Sequence, residues 1–181
     1  MSSGLAESLR EAALLEGDFV LRSGKRSSYY LDKYRFSTRP DLLRPLGEAL
    51  AAAIAEFAPE AVRIAAPELG AVPLAAAASL ESGLPFVIVR GKPKDYGTAN
   101  RIEGVFEPGE CVCLVEDVVT SGGAAIEALE AVREAGMRVG TAICVVDREE
   151  GGSDALARAA VRLRPLFTAS ELRKSAAKPL G

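Results

Sequence analysis

Two adjacent carboxylates, Glu116 and Asp117, are followed by Val118, Val119 and then Thr120-Ser121-Gly122-Gly123-Ala124. Each part of this run offers a chemical tool. The carboxylates can accept hydrogen bonds from sugar hydroxyls or help to hold a hydrated Mg²⁺. The glycines let the backbone come close to a ligand, and amides at the start of a helix offer free N–H groups and a partial positive charge to a phosphate. Phosphate on one side and vicinal hydroxyls on the other describe a ribose 5-phosphate. The plainer reading is an ordinary strand-to-helix turn with glycines at its bend. The run is neither of the commoner nucleotide loops: no Lys follows Gly123, as a Walker A loop requires, and no Gly-x-Gly-x-x-Gly follows the first strand.

Further candidates lie elsewhere. Arg90-Gly91-Lys92-Pro93-Lys94-Asp95-Tyr96-Gly97 opens a segment, 91–109, without hydrophobic periodicity. A loop of that length is commonly functional or disordered, and its cations and glycines suit a lid closing on an anion. Arg148 follows the apolar run Ile143 to Val146, at the carboxyl end of a strand. A guanidinium there can make paired hydrogen bonds to a flat acid, or can simply pair with Glu149 or Glu150. Tyr29 and Tyr30 offer aromatic faces in the segment Phe19 to Asp32, either to a planar ligand or to the core. Glu68-Leu69-Gly70 leads from a strand into a helix, where its amides can face an anion.

The elements that must position these residues follow from periodicity. A helix is expected from Leu5 to Leu15, closed at Gly17, with short strands at Phe19 to Leu21 and Tyr29 to Leu31 around a turn. Thr38 to Phe57 reads as a long helix. Pro40 suits its first turn, but Pro45 falls inside the pattern and should kink the helix or move its start later. Strands are expected at Arg63 to Ala66, Pro85 to Val89, Cys111 to Val115, Val139 to Val146 and Val161 to Phe167. The Cys111 to Val115 run should be buried on both faces. Helices are expected at Val72 to Ser82, Gly122 to Ala135, Asp154 to Ala159 and from Ser170, with Ala176 to Gly181 frayed. Strands alternating with helices predict an α/β fold with a parallel sheet flanked by helices, whose ligands bind outside the strands' carboxyl ends.

Composition sets the bounds. A chain of 181 residues, 49% of them hydrophobic, fits one domain with a real core. There is no His, which removes any imidazole base or ligand. A net charge of −3 does not suggest broad nucleic-acid binding. The three cysteines, Cys111, Cys113 and Cys144, sit in apolar runs and read as core residues rather than disulfides or a zinc site. No segment is apolar enough to span a membrane and the N-terminus lacks a leader pattern, so a reduced, cytoplasmic location is expected.

The 111–124 stretch resembles the phosphoribosyl-pyrophosphate (PRPP) motif of type I phosphoribosyltransferases. Phe19 to Lys33, Arg90 to Gly104 and Val145 to Gly152 narrow the resemblance to the orotate phosphoribosyltransferase family. The likeness runs from about Leu14 to about Leu172. It implies a type I phosphoribosyltransferase fold with an N-terminal hood hairpin, about 1–38, over a core of about 39–181. It implies transfer of a 5-phosphoribosyl group from PRPP to orotate, with Mg²⁺ held mainly by substrate and water near Asp117. PRPP would then meet Glu68, Leu69, Gly70, Arg90, Lys94, Tyr96, Glu116, Asp117, Val118, Val119 and 120–124. Orotate would meet Arg22, Tyr29, Tyr30, Thr120 and Arg148. Lys94 would reach the departing pyrophosphate, which with Asp117 makes the catalytic pair, and loop 91–104 would complete the partner's site in a homodimer. The chain departs from common bacterial members at Gly91, where they often carry a second lysine, and at Tyr96, where they often carry histidine. A tyrosine can donate a hydrogen bond to phosphate but is a poor proton shuttle at neutral pH. Arg22 stands where some members have lysine, and Gly70 where some relatives do. Transfer to another base and a PRPP-sensing, non-catalytic paralogue remain as alternatives.

Overall fold

The structure, a computed structural model, describes residues 3–20, 24, 26–91 and 101–174. The predicted roles of Arg22, Lys92, Lys94 and Tyr96, and the fraying of 176–181, lie outside the described residues.

Six strands form one sheet: β3 (Arg63–Pro67), β4 (Phe86–Val89), β5 (Ile102–Glu103), β6 (Cys111–Val119), β7 (Arg138–Asp147) and β8 (Arg162–Thr168), in the order β5-β4-β3-β6-β7-β8. Before them, α1 (Ser3–Ala13) leads into the antiparallel hairpin of β1 (Leu14–Val20) and β2 (Arg26–Leu31), the predicted hood. A short α2 (Tyr34–Ser37) and the long α3 (Pro40–Phe57) follow. The crossovers are α4 (Ala71–Ser82), α5 (Gly123–Glu134) and α6 (Gly152–Arg158), and α7 (Ala169–Lys174) is the last described helix.

The sheet is parallel except at one edge, where β5 runs antiparallel to β4, pairing Ile88 with Glu103 and Val89 with Ile102. The expected irregular segment 91–109 therefore contains a strand. Two residues are too few to show a period, and the neighbouring edge alone makes them a strand. Strand alternation divides the core. Ile64, Ala66, Cys113, Val115, Ile143 and Val145 face α3 and α4, whereas Ala65, Leu114, Ala142 and Cys144 face α5 and α6. Each fully buried leucine or isoleucine contributes about 2 kcal/mol. The close α3–α4 contact depends on Gly47, where a Cβ would fall 2.7 Å from the Cβ of Ala77.

Three other expectations change. Leu14 and Leu15 belong to β1, not to the first helix, because they pair with Leu31 and Tyr30. Pro45 does not move the start of α3, which begins at Pro40 and runs unbroken to Phe57. The apolar positions Leu42, Leu46, Leu50 and Ile54 hold the helix on the sheet, and this outweighs one lost backbone bond. Finally, β6 does not end at Val115 but continues to Val119, so both acids lie within a strand. No described helix is long and apolar enough to cross a membrane.

Candidate active site

The carboxyl ends of β3, β6 and β7 lie side by side and bring three segments to one sheet edge: 68–70, 117–124 and 147–152. That edge is where parallel α/β sheets bind ligands.

Glu116 and Asp117 occupy adjacent positions in a strand and therefore leave it on opposite faces. Asp117, 2% exposed, faces the hood side. Its Oδ2 lies 2.8 Å from Nζ of Lys33, in the segment joining β2 to α2, and its Oδ1 accepts a 2.6 Å bond from the Val118 amide. Lys33 approaches Oδ2 as an ion pair rather than along a hydrogen-bond direction, so Oδ2 has no well-aligned donor among the described residues. Burial lowers the Lys33 ammonium's pKa, but its 2.8 Å approach to Asp117 and that residue's charge outweigh this, and the net shift is upward. Glu116, 6% exposed, faces the other way, into a cavity of about 30 Å³ that it lines with Val118, Val119, Thr120 and 122–125. Burial first, and the Asp117 charge second, push its pKa up to about 8. Its surroundings thus favour the protonated form more than those of an ordinary carboxyl do.

The loop after β6 has the form that phosphate binding needs. Thr120, Ser121, Gly123 and Ala124 are exposed, and Gly122, at φ 86°, stands at the N-cap of α5 and offers no side-chain cap. The first-turn amides of α5 are therefore open. Gly152 holds this loop in place. A Cβ there would stand 2.3 Å from Cγ1 of Val119 and 2.6 Å from the Thr120 carbonyl oxygen.

At the end of β3, Gly70 sits directly over the Asp117 carboxylate, since a Cβ at 70 would fall 1.7 Å from Oδ2. Leu69 is exposed, and the Glu68–Leu69 peptide is cis. Glu68 accepts a 3.1 Å bond from the Gly91 amide and lies 3.8 Å from Nη1 of Arg90. Nε of Arg90 is buried without a hydrogen-bond partner among the described residues. The start of the predicted lid is thus joined to the 68–70 loop.

Arg148 donates its amide to the Val119 carbonyl at 2.9 Å, so the end of β7 stands against the end of β6. Its guanidinium pairs with Glu150 at 3.0 Å and lies 5.0 Å from the ring centre of Tyr29, while Nε is buried and unpartnered among the described residues. Tyr29 and Arg148 are thereby brought together. Tyr30 is not: alternation turns it to the other face of β2, 43% exposed, against Phe19. A cavity of about 610 Å³ beside Tyr29 is lined by Leu14, Glu16, Ser28, Ser170, Arg173 and Lys174.

The sequence reading overlooked two residues at this edge. Lys33 meets Asp117 only through the docking of the hood, and no spacing signals that. Gly152 was visible as half of a Gly-Gly pair, but its neighbour across the fold was not. Among the described residues no group of three or more His, Cys, Asp or Glu could hold a metal ion.

Comparison with known proteins gives the same result from three directions. A family model for the phosphoribosyl transferase domain matches residues 38–162. The orotate phosphoribosyltransferase of Methanocella arvoryzae is 47% identical over 174 residues, 95% of this chain and 97% of that one. The crystal structure of orotate phosphoribosyltransferase from Aeropyrum pernix superposes with a TM-score of 0.83 at 31% identity, covering 96% of this chain and 99% of its own. That of the Mycobacterium tuberculosis enzyme in complex with PRPP superposes with a TM-score of 0.79 at 28% identity, covering 94% and 97%. Motif, fold and relatives converge, and the chain belongs to the phosphoribosyltransferases, on their orotate phosphoribosyltransferase branch.

Proposed function

We propose that the protein transfers the 5-phosphoribosyl group of PRPP to orotate, releasing orotidine 5′-phosphate and pyrophosphate. The observation that carries this reading is the end of β6, where two buried carboxyls, Glu116 and Asp117, are followed by the open amides of 120–124. That set matches the two hydroxyls and the phosphate of a ribose 5-phosphate. The complex of the Mycobacterium tuberculosis relative with PRPP supports the same ligand.

The reaction needs no enzyme nucleophile. A ring nitrogen of orotate forms the new bond to the anomeric carbon, the carbon–oxygen bond breaks, and pyrophosphate leaves with the electron pair. The nitrogen's proton passes to solvent. The protein contributes orientation and charge. Asp117 and Glu116 hold the ribose hydroxyls, and the 120–124 amides hold the 5-phosphate. The 68–70 loop, Arg90 and Lys94 face the pyrophosphate. Arg148 takes a carboxylate or carbonyl of orotate, with Tyr29 stacked behind its guanidinium. To do so it exchanges Glu150 for the substrate.

Mg²⁺ fits this site only as a shared ion. The described residues contain no protein cage, so the ion would be held mainly by PRPP and water, near Asp117. Bound in that way, it would neutralise the leaving pyrophosphate. The reading also includes a single domain with the hairpin as its hood, a cytoplasmic location and a homodimer in which the 91–104 loop serves the partner's site.

The test is turnover with PRPP and Mg²⁺ across a panel of pyrimidine and purine bases. Orotate should be consumed preferentially, and Arg148→Ala should raise KM for orotate at least about tenfold while moving KM for PRPP little. Turnover of another base instead would reassign the acceptor, and none with any base would overturn the reading.

A further inference from the structure

We propose that Lys33 is a positioning residue for PRPP: it holds the Asp117 carboxylate in the orientation that receives the ribose, and so makes docking of the hood a condition of sugar binding. The proposal rests on the functional reading above. Lys33 follows the hood strand β2, whereas Asp117 lies near the end of the central strand β6, and the 2.8 Å pair is a direct link between the two.

Three observations distinguish this pair from a surface contact. Asp117 is almost fully buried, while the Lys33 side chain is 38% exposed, so a partly exposed ammonium reaches a buried carboxylate. Gly70 leaves the necessary room, since a Cβ at that position would lie 1.7 Å from Asp117 Oδ2 and 3.1 Å from Lys33 Nζ. The loop carrying Gly70 thus closes over the pair, and the carboxylate is confined between β6, Lys33 and the backbone of residue 70. Lastly, the opposing carboxyl is not a competitor for the ammonium at contact range, because Glu116 leaves the strand on the other face. Without Lys33 the carboxylate keeps, among the described residues, the bond from the Val118 amide on Oδ1 and no partner on Oδ2. A substrate hydroxyl would then have to order the acceptor it binds, which weakens binding.

Initial-rate kinetics and calorimetric binding of PRPP and ribose 5-phosphate would test this on the full chain. Lys33→Met should raise KM for PRPP and weaken ribose 5-phosphate about tenfold, with kcat and KM for orotate changed less than about threefold. Lys33→Arg, which keeps the charge, should recover most of the loss. In an Asp117→Asn background, Lys33→Met should add less than about twofold, because the group it positions is already altered. If Lys33→Met only lowers the melting temperature and leaves ribose 5-phosphate binding intact, the pair merely fastens the hood and the proposal fails. It also fails if the effects of the two substitutions multiply. Should Lys33→Met not fold, the comparison of Lys33→Arg with Lys33→Gln replaces it: equal ribose 5-phosphate binding by the two would overturn the proposal. A wild-type protein that binds ribose 5-phosphate but turns over no base would sink the functional reading alone. One that binds neither PRPP nor ribose 5-phosphate would remove both.

Discussion

Glu116 and Asp117 are chemically similar and adjacent, yet the strand gives them different environments. Asp117 is confined with a cation, whereas Glu116 is confined with apolar residues and the loop backbone, which favours its neutral form. The two should therefore respond differently to removal of charge. Asp117→Asn takes away a charged acceptor and leaves Lys33 without its partner, and should lower kcat/KM for PRPP at least about tenfold, corresponding to about 2 kcal/mol. Glu116→Gln keeps the size of a carboxyl whose neutral form burial already favours, and should cost less than about threefold at pH 7. Equal losses in two well-folded variants would show that Glu116 also acts as an anion. Position 70 shows the same dependence on surroundings. As a sequence letter it is a small residue before a helix, but in the fold it is the space that the Lys33–Asp117 pair requires.

At the scale of elements, β6 must be held in register for its acids to reach the edge, and its other end is fastened by a second ion pair. Arg63, at the start of β3, donates from Nε and Nη2 to the two carboxylate oxygens of Glu110 at 2.8 and 2.9 Å, immediately before β6 begins. The bond from Arg63 holds the Glu110 carboxyl below its ordinary value of 4.5. Because the folded value is the lower one, the resulting stability is fully present above pH 4.5 and is lost as pH falls through the folded value. Glu110→Gln should thus be less stable than wild type in urea at pH 7, and the gap should narrow as the medium is acidified to about pH 3. A gap that stays constant over that range would show that the pair contributes geometry without charge. The hairpin of β1 and β2 behaves differently. Leu31 packs it into the core, and Tyr29 with Arg148, together with Lys33 just beyond β2 on Asp117, join it to the sheet edge.

At the scale of the whole molecule, the proposed dimer makes a quantitative prediction. Suppose Lys94→Ala and Asp117→Asn are each nearly inactive, and the two proteins are mixed equally with subunit exchange. Random pairing makes about half of the dimers hybrids. If each loop serves the partner, one site in every hybrid has both residues intact and the other has neither. Activity should then recover to about a quarter of wild type. If each loop serves its own subunit, every site keeps one defect. No recovery despite demonstrated exchange would exclude the shared site and leave the reaction untouched. The three cysteines, all free, place no disulfide in the way of such an experiment.

The sequence by itself determined the chemistry of the β6 segment and the order of elements around it, because both are local. Apolar runs, two acids, a Thr-Ser-Gly-Gly turn and a helical period all fall within a short stretch of chain. Pro40 likewise announced the first turn of α3. What only the tertiary structure decided are relations between distant segments. That the acids lie inside a strand and face opposite ways follows from the pairing of Glu116 with Cys144 and of Val118 with Val146 on β7. That β5 exists follows from the edge β4 offers it. That Tyr29 and not Tyr30 reaches Arg148 follows from the pairing of Tyr29 with Glu16, which sets the face of the hairpin that turns inward. In the sequence Lys33 only closes the Phe19 to Lys33 segment, and nothing local assigns it a role. The space left by Gly70 and the docking of the hood place it against Asp117, because a contact of this kind is a property of packed surfaces and has no local period to reveal it.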